Sequence, residues 1–241
     1  MGFLDKILKR EVTIVFNWIL DNALPPFLRD SKWLMNPLFL LVYGKEVRDL
    51  VMKFKERAYF LTEEEYAEYY SVYANTSIST KRPTDLGNKS VMAIVENIVG
   101  KNVIDVGCGR GYLSQKIACE RKVDVTAADF QILDELKDFT NPKYVEANIE
   151  QLPFSDNSFD TVVCTHTLEH IINIQQAISE LRRITKKRLI IVVPMQREYK
   201  YTFDLHVHFF PYLHTFKSVM RNEKAHCRLI NNDIFYIEDK V

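Results

Sequence analysis

Three glycines at alternate positions, placed directly after a short apolar run, constrain this sequence more than any other feature. The run 102–106 precedes Gly107, Gly109 and Gly111, and a stretch of helical pattern begins at Tyr112. Glycine allows the backbone to turn sharply and to approach a ligand closely. A helix that begins directly after the loop presents free backbone amides to that ligand. The order of strand, glycine loop and helix therefore predicts a nucleotide-type site at the carboxyl end of a buried strand.

The spacing of these glycines separates the loop from the dinucleotide-binding fingerprint. That fingerprint needs a glycine at the position that Tyr112 occupies here. Asp105, two residues before Gly107, adds a carboxylate where the strand ends. A fixed anion suits a cationic ligand better than a pyrophosphate. A nicotinamide-dependent dehydrogenase would share a Rossmann core with this chain and stays an alternative, but Tyr112 and Asp105 both disfavour it.

An acidic residue, Asp129, ends the second predicted strand. At this place in a Rossmann-like fold, an acidic side chain can accept hydrogen bonds from both hydroxyls of a ribose. Phe130 follows it directly and can pack on the face of an adenine. An aspartate after a strand is otherwise an ordinary turn residue or helix cap. The preceding glycine loop favours the ribose interpretation.

Apolar runs and helical patterns alternate from residue 85 onward. Apolar strands separated by helices indicate a parallel sheet that is covered on both faces. Near the end, two short apolar runs flank 231–233, which indicates an antiparallel hairpin. The predicted fold is therefore α/β, a Rossmann-like doubly wound sheet of about seven strands that ends in this hairpin. The predicted strands are 102–106, 123–128, 144–147, 159–164, 188–193, 227–230 and 234–237, and the helices are 86–99, 112–119 and 174–184.

The first 80 residues follow a different pattern, which is mostly helical and rich in large apolar side chains. Apolar residues recur at helical spacing around Val12 and again in 47–54. Thr62 and Glu65 form a capping-box pattern that opens a further helix. The polar segment 75–83 is the candidate linker. We therefore divide the chain into a helical N-terminal extension, residues 1–80, and a ligand-binding α/β domain, residues 81–241.

Composition and charge narrow the class of protein. Apolar residues make up 47% of the chain, as in a folded globular protein, and 32 basic residues balance 32 acidic ones. Without a net basic field the chain has no general attraction for nucleic acid, so no nucleic-acid partner is predicted. Four cysteines without a Cys-x-x-Cys pair indicate buried reduced thiols in a cytoplasmic protein, rather than disulfides or zinc ligands. They are Cys108, Cys119, Cys164 and Cys227.

Two apolar stretches near the N-terminus bear on membrane association. The stretches 12–20 and 33–43 are shorter than the roughly 20 residues of a membrane-spanning helix, and Asn36 and Pro37 interrupt the second. Large apolar side chains in this region, together with several cations, are also typical of a surface that lies on a bilayer. We favour burial of these side chains against the α/β domain or in a homodimer, with peripheral membrane contact as the alternative. The side chains are Trp18, Phe27, Trp33 and Phe39, and the cations are Lys6, Lys9, Arg10, Arg29 and Lys32.

Several motifs together resemble one known family. With the glycine loop and Asp129, the run 147–160 resembles the class I methyltransferases that depend on S-adenosyl-L-methionine (SAM). Within that family, the run 163–171 is similar to the stretch after the fourth strand in the broad branch that includes the quinone-biosynthesis methyltransferases. The fifth predicted strand also closes as in that family, with Val193 and Pro194. The resemblance covers about residues 85–240.

The resemblance implies that SAM is the cofactor and implies where it binds. Asp105 and the glycine loop would surround the methionine part of SAM, Asp129 would bind the ribose, and Ile149 would lie near the adenine. Asn148 departs from the family, which often has an aspartate there to accept from the adenine amino group, although an amide oxygen can also accept this bond. The predicted cofactor-binding residues are Asp105, Gly107, Cys108, Gly109, Gly111, Asp129, Phe130, Asn148, Ile149 and Thr165.

Histidines are the candidate catalytic residues. Methyl transfer from a sulfonium needs mainly positioning, plus a base where the acceptor must lose a proton. His166 follows the fourth predicted strand and is the first candidate for this base, whereas His170 is assigned to capping or packing. His206 is the second candidate, because the resembling family often has a histidine three positions before a Phe-Phe pair. Packing or hydrogen bonding within its loop is the alternative role. The spacing of Asp204, His206 and His208 does not make a complete metal site, so no metal is predicted.

Four tyrosines of the N-terminal extension lie on one predicted helical face. They would line an acceptor pocket or cover SAM as a lid, and the alternative is that they pack an accessory helix onto the sheet. These residues are Tyr66, Tyr69, Tyr70 and Tyr73.

These patterns predict a transferase, a SAM-dependent methyltransferase that acts on a small-molecule acceptor. A hydroxyl of a sugar or of a lipid-linked intermediate is the preferred acceptor, because aromatic and histidine-rich loops suit a polar ring. Carbon methylation of a quinone-like ring is the nearest alternative. A non-catalytic SAM-binding module is the alternative from another class, since a glycine loop and Asp129 indicate ligand binding without requiring turnover.

Overall fold

A computed structural model describes residues 18–74 and 83–240. These residues form two compact units, which are treated separately: an α/β unit of Pro83–Met195 with 210–240, and a helical unit of 18–74 with Gln196–Phe209. The predicted boundary after residue 80 and all but the last residue of the predicted linker 75–83 lie outside the described residues. The division at that point therefore stays a prediction. The first part of the helix predicted over 12–20 also lies outside them.

The α/β unit is built on a seven-stranded sheet with the strand order β3-β2-β1-β4-β5-β7-β6. Strands β1 to β5 pair in parallel, and β7 is antiparallel to both β5 and β6. The predicted doubly wound sheet with a terminal antiparallel hairpin is confirmed. The strands are β1 Asn102–Val106, β2 Asp124–Asp129, β3 Lys143–Glu146, β4 Phe159–Thr165, β5 Thr185–Pro194, β6 His226–Ile230 and β7 Asp233–Asp239.

Helices cover both faces of this sheet, and β5 shows why its sequence is apolar throughout. Ile191 and Val193 pack into the cluster that contains the helices Ile174–Ile184 and Leu213–Met220. Ile190 and Val192 pack into the other cluster. Because successive side chains of a strand point to opposite faces, a strand buried on both faces has no polar position in its centre. The helices on the second face are Asn88–Glu96 and Tyr112–Arg121.

The strand order reverses at β1, and this reversal creates a place for a ligand. Strand β2 pairs with one side of β1, and β4 pairs with the other side. In open α/β sheets, ligands bind in the crevice outside the carboxyl ends of the strands at such a switch point. The glycine loop that follows β1 and the segment that follows β4 both begin at this edge of the sheet.

The helical unit contains a long helix, Lys32–Arg57, and a second helix, Glu63–Ala74. The predicted capping box is present, because the amide of Thr62 donates to Glu65 Oε2 and the amide of Glu65 donates to Thr62 Oγ1. The helix continues through Pro37, and the break lies at Gly44, whose φ of 75° is non-helical.

Two findings qualify the expectations from composition. Cys108 and Cys164 are buried, but Cys119 is exposed and Cys227 is half-buried, so the expectation of four buried thiols is wrong; all four are free. Cys119 lies on the outer face of its helix, where the apolar run 112–119 suggested burial. Among residues 18–74 and 83–240, no helix is long and apolar enough to cross a membrane.

Candidate functional site

The glycine loop lies where β1 ends, and its backbone is fixed from the neighbouring strand. The amides of Gly107 and Cys108 both donate to the carbonyl oxygen of Ala128 on β2, at 2.8 and 3.1 Å. Gly111 has a φ of 74° and is the N-cap of the helix Tyr112–Arg121. No described side chain caps this helix at its first turn. A helix N-terminus without a side-chain cap therefore lies close to the end of β1.

The three glycines have different reasons to lack a side chain. A Cβ on Gly107 would collide with the side chain of Thr167, and a Cβ on Gly111 would collide with Tyr144. Gly109 has a φ of 51°, but a Cβ there would meet no atom within 4 Å. Gly107 and Gly111 are thus required by packing within the unit, whereas Gly109 leaves open space beside the loop. This open space is where a ligand can approach the backbone.

Asp105 is a buried carboxylate with an unsatisfied oxygen. Its Oδ2 accepts a hydrogen bond from Ser114 Oγ at 2.6 Å, and its Oδ1 has no partner among the described residues. Burial raises the pKa of Asp105 to about 7, the hydrogen bond from Ser114 opposes this, and the charge of Asp129 adds to it. A buried polar atom without a partner is costly, and a cationic or donor group of a ligand would remove that cost.

Asp129 connects the end of β2 to the glycine loop. Its Oδ2 accepts a hydrogen bond from the amide of Gly109 at 2.7 Å. Burial raises the pKa of Asp129, whereas hydrogen bonds from backbone amides, which include those of Gly109 and Phe130, lower it. The Phe130 ring is exposed. The ribose role of Asp129 and the adenine role of Phe130 stay predictions, and both residues lie at the same edge of the sheet as Asp105.

The other predicted cofactor residues differ in how much surface they offer. Asn148 Oδ1 accepts from the amide of Glu150 at 2.9 Å, so the oxygen assigned to the adenine amino group is already used in a turn. Ile149 is buried in the main core cluster, and Cys108 packs in a smaller one. Thr165, the last residue of β4, is also buried. Their contacts with SAM stay predictions.

His166 follows β4 and is held in an unusual backbone conformation. Its φ is 48°, a left-handed value that is uncommon for a residue with a side chain. Its amide donates to the carbonyl oxygen of Val192 on β5 at 2.8 Å. Its Nε2 lies 3.2 Å from Asp233 Oδ1, and Ser90 Oγ donates to Asp233 Oδ2 at 2.5 Å. The chain Ser90, Asp233, His166 therefore fixes the imidazole at the end of β4.

A second acid, Glu169, also faces this histidine. Its Oε1 lies 4.0 Å from His166 Nδ1, and neither of its oxygens has a hydrogen-bond partner among the described residues. Burial alone would lower the pKa of His166, but the bond to Asp233 and the charge of Glu169 raise it to about 9. Burial raises the pKa of Glu169 to about 7, against the effect of His166. Asp233, Ser90 and Glu169 were missed by the sequence analysis, which treated Asp233 only as a hairpin residue.

His206, the second histidine candidate, lies in the helical unit. It is buried, and its Nδ1 is 2.7 Å from Gln196 Oε1. Its ring also lies 6.1 Å from the ring of Phe209. Asp204 Oδ1 accepts a hydrogen bond from the Tyr73 hydroxyl at 3.0 Å. These contacts match the loop-stabilising role that was the alternative for His206, and its catalytic role stays a prediction.

The predicted tyrosine set divides into two groups within the helical unit. The hydroxyls of Tyr70 and Tyr73 bind the segment 203–205, through the carbonyl oxygen of Leu205 and the side chain of Asp204. The Tyr43 hydroxyl donates to the carbonyl oxygen of Phe203. The rings of Tyr66 and Tyr69 pack beside Phe54, with ring centres 5.7 and 5.8 Å away.

Comparison with known proteins identifies the class of this domain. A family model described as "Methyltransferase domain" matches residues 104–193, from β1 to the end of β5. The match includes the glycine loop, Asp129 and His166. Residues 104–193 therefore match a methyltransferase domain, which confirms the resemblance of this stretch to methyltransferases.

Individual relatives match stretches of about the same length. An uncharacterised protein of Methanocaldococcus jannaschii is 41% identical over 96 residues, 38% of this chain and 40% of that protein. The demethylmenaquinone methyltransferase of Paenarthrobacter aurescens is 33% identical over 110 residues, 41% of this chain and 43% of that enzyme. The chain spans about two fifths of the length of these relatives. The PH0226 protein of Pyrococcus horikoshii shares the fold, with a TM-score of 0.52, 14% identity, and coverage of 71% of this chain and 98% of that chain.

Proposed function

We propose that this protein transfers a methyl group from SAM to a small-molecule acceptor. The observation that carries the proposal is the unpartnered Oδ1 of buried Asp105, next to the glycine loop of a matched methyltransferase domain. SAM carries a sulfonium and an ammonium group, and either cation would be attracted to a buried carboxylate. A dinucleotide would bring a pyrophosphate to this position, and the carboxylate would repel it.

The chain's own residues would hold the cofactor in three places. Asp105 and the open space beside Gly109 would receive the methionine part, and Asp129 would receive the ribose hydroxyls. When bound, SAM supplies an electrophilic methyl group on a positively charged sulfur. The protein is then required to orient the acceptor in line with that methyl group and to exclude competing water.

The state of His166 bears on the chemistry of the acceptor. With its pKa raised to about 9, His166 carries a proton at neutral pH and cannot take another from a hydroxyl. With Nε2 bound to Asp233, a protonated imidazole can instead donate from Nδ1 to an acceptor oxygen that is already ionised. Phenolic hydroxyls ionise near pH 10, as tyrosine does, far more readily than the hydroxyl of serine or of a sugar. A phenolic or quinol acceptor would suit a protonated His166 better than the sugar hydroxyl that the sequence favoured.

The name of one relative supports the same acceptor class. The enzyme of Paenarthrobacter aurescens is a demethylmenaquinone methyltransferase. An ionised quinol oxygen makes the ring carbon beside it electron-rich, so one anion offers both an oxygen and a carbon to the methyl group. We therefore propose a quinol-like acceptor, methylated on oxygen or carbon, and keep the hydroxyl of a sugar or lipid-linked intermediate as the alternative.

Release of S-adenosylhomocysteine in the presence of matched acceptors tests this proposal. Short-chain hydroquinones and catechols should support turnover, and their fully O-methylated counterparts and simple sugars should not. His166→Gln should lower the rate on a hydroquinone, because glutamine can still donate a hydrogen bond but carries no charge. Turnover on sugars with a rate that follows the deprotonation of His166 would favour the alternative. SAM binding without turnover on any acceptor would indicate a non-catalytic module.

A further inference from the structure

An apolar stripe is exposed along the first part of the long helix Lys32–Arg57. Trp33 is 82% exposed, and Leu40 and Leu41 are 43% and 51% exposed. With Pro37, which is also exposed, these positions recur at spacings of three and four residues and share one helical face. Met35 and Phe39 are fully buried on the opposite face. The helix is therefore apolar on both sides, although only one side is needed for the core of the helical unit.

The same unit exposes further large apolar side chains before this helix. Phe27, in the short helix Pro26–Arg29, is 74% exposed, and Trp18 is 53% exposed. Single exposed apolar residues are ordinary, but several aromatic rings within one short stretch of chain point to a partner or a membrane. We call Trp18, Phe27, Trp33, Leu40 and Leu41 the apolar face.

The charges around the apolar face favour one kind of partner. Lys32 and Lys45 are both exposed and stand at the two ends of the stripe. No acidic residue occurs from Ser31 to Lys45, and Asp30 and Glu46 lie directly outside this stretch. Lysine is depleted at protein interfaces, whereas lysine beside tryptophan and leucine is typical of helices that lie at a membrane surface. Their ammonium groups can reach lipid phosphates while the rings and leucines enter the acyl boundary.

The break at Gly44 sets the geometry of this contact. From Lys32 to Gly44 the helix is only about 20 Å long, against about 30 Å for the hydrocarbon core of a bilayer. It can therefore lie in the plane of the interface and cannot cross it. We infer that the apolar face docks the protein onto the surface of an anionic phospholipid bilayer. This inference goes beyond methyl transfer and does not depend on it.

The two tryptophans make the inference directly measurable. Trp18 and Trp33 are the only tryptophans in the sequence, and both belong to the apolar face. When the full chain is mixed with vesicles of equal parts phosphatidylcholine and phosphatidylglycerol, the tryptophan emission should shift to shorter wavelength. Phospholipids brominated on their acyl chains should quench it. Pure phosphatidylcholine vesicles should bind more weakly, and added salt should reduce binding to the anionic vesicles.

Paired substitutions separate the apolar and the charged contributions. The double variant Leu40→Ser, Leu41→Ser keeps both tryptophans and should bind anionic vesicles about tenfold more weakly. The double variant Lys32→Glu, Lys45→Glu should lose the preference for anionic lipid. Phe139→Ser removes a ring of similar exposure in the α/β unit and should leave vesicle binding unchanged. Thermal melting of each variant shows whether it is folded.

Two results would overturn the inference. One is an unchanged tryptophan spectrum with vesicles of either composition while the protein is folded. The other is an emission shift that depends on protein concentration without lipid and disappears in the leucine variant, which would assign the apolar face to a second copy of the chain. Neither result would bear on methyl transfer, since vesicle binding is measured without SAM or acceptor.

Discussion

Buried carboxylates give single residues of the α/β unit an unusual sensitivity to pH. Asp105 has a pKa of about 7 because of its burial, and one of its oxygens is unsatisfied. Burial also raises the pKa of Glu169, to about 7. Both side chains are destabilised in their ionised form, and each would gain from a nearby cation. His166 supplies that cation for Glu169, and the proposed cofactor would supply it for Asp105.

Binding of SAM should therefore weaken as the pH falls below about 7. Binding of a cation requires ionised Asp105, so a proton must be released below its pKa, at a cost of up to about tenfold in affinity per pH unit. Isothermal titration at several pH values measures both the affinity and the proton release. Asp105→Asn should bind SAM more weakly throughout and should lose this pH dependence. An identical pH profile in the variant would exclude Asp105 as its source.

The pKa of His166 should lie well above that of an ordinary histidine. We expect an NMR titration near pH 9 for its ring, and a clearly lower value in Asp233→Asn, because that substitution removes the charged partner at 3.2 Å. His166→Gln identifies the resonance. A titration near pH 6.5 in both proteins would contradict the account.

The same shift predicts how stability depends on pH. The folded-state pKa of His166 is above the unfolded value, so its contribution is complete below about pH 6.5 and is lost as the pH rises through about 9. Thermal stability should fall across this range, by about 1 to 3 kcal/mol in free energy of unfolding. The fall should be smaller in Asp233→Asn, which differential scanning calorimetry can show.

The sequence predicted some residues of the site and not others, for a physical reason. Asp105, the glycines and Asp129 follow strand ends, and their spacing alone indicates a ligand site. Ser90, Glu169 and Asp233 have no such local signal. Ser90 meets Asp233 only because helix Asn88–Glu96 packs near the edge where β7 begins. Such a contact depends on packing across the whole sheet.

Among the structural elements, the glycine loop contains two glycines, Gly107 and Gly109, that are expected to differ in their effect on stability. Gly107 and Gly109 both have positive φ, so alanine costs about 1 to 2 kcal/mol at either position. Gly107→Ala also drives its new methyl group into Thr167, whereas Gly109→Ala meets open space. In urea unfolding, Gly107→Ala should therefore lose about 1 to 3 kcal/mol more than Gly109→Ala. Adding Thr167→Ala should recover part of the difference. Equal losses would show that Thr167 does not limit the loop.

In the helical unit, tyrosine hydroxyls fix the segment 196–209, which contains no helix or strand. We expect Tyr73→Phe to destabilise this segment by about 1 kcal/mol, since it removes a hydrogen bond to Asp204. Faster hydrogen exchange of the amides of 203–205 would be the direct sign. Tyr69→Phe, on the same helix, is the matched control, because its hydroxyl is bonded to Arg57 at the surface. Equal exchange in both variants would exclude this role for Tyr73.

Element boundaries show where local patterns suffice. Helix Ile174–Ile184 matches its predicted limits. Its apolar residues recur at helical spacing, and the helix is followed by a strand that is rich in β-branched residues. The break at Gly44 was not predicted, and the helix runs through Pro37. Proline near the start of a helix costs little stability, because the first backbone amides have no hydrogen-bond partner within the helix. Pro37 lies one turn further in and is still accommodated, while glycine alone tolerates the φ of 75°.

At the scale of the whole molecule, the alternation of apolar strand patterns with helical patterns along the chain was enough to predict the architecture of the α/β unit. Continuous apolar runs indicate strands buried on both faces, and helices between them require a parallel sheet. The sequence did not indicate that 196–209 would group with the N-terminal helices. This segment directly follows β5, and its composition does not indicate which unit it packs against.

Titration of the full chain with SAM and with S-adenosylhomocysteine tests the central claim most directly. We predict micromolar binding of both ligands, no binding of a reduced nicotinamide cofactor, and a loss of about 1 to 3 kcal/mol in Asp129→Ala, the cost of an unpaired polar partner. Thermal melting of the variant confirms that it is folded. Absence of binding to SAM and S-adenosylhomocysteine by the folded wild-type protein would contradict the methyltransferase account and leave the fold without its proposed chemistry.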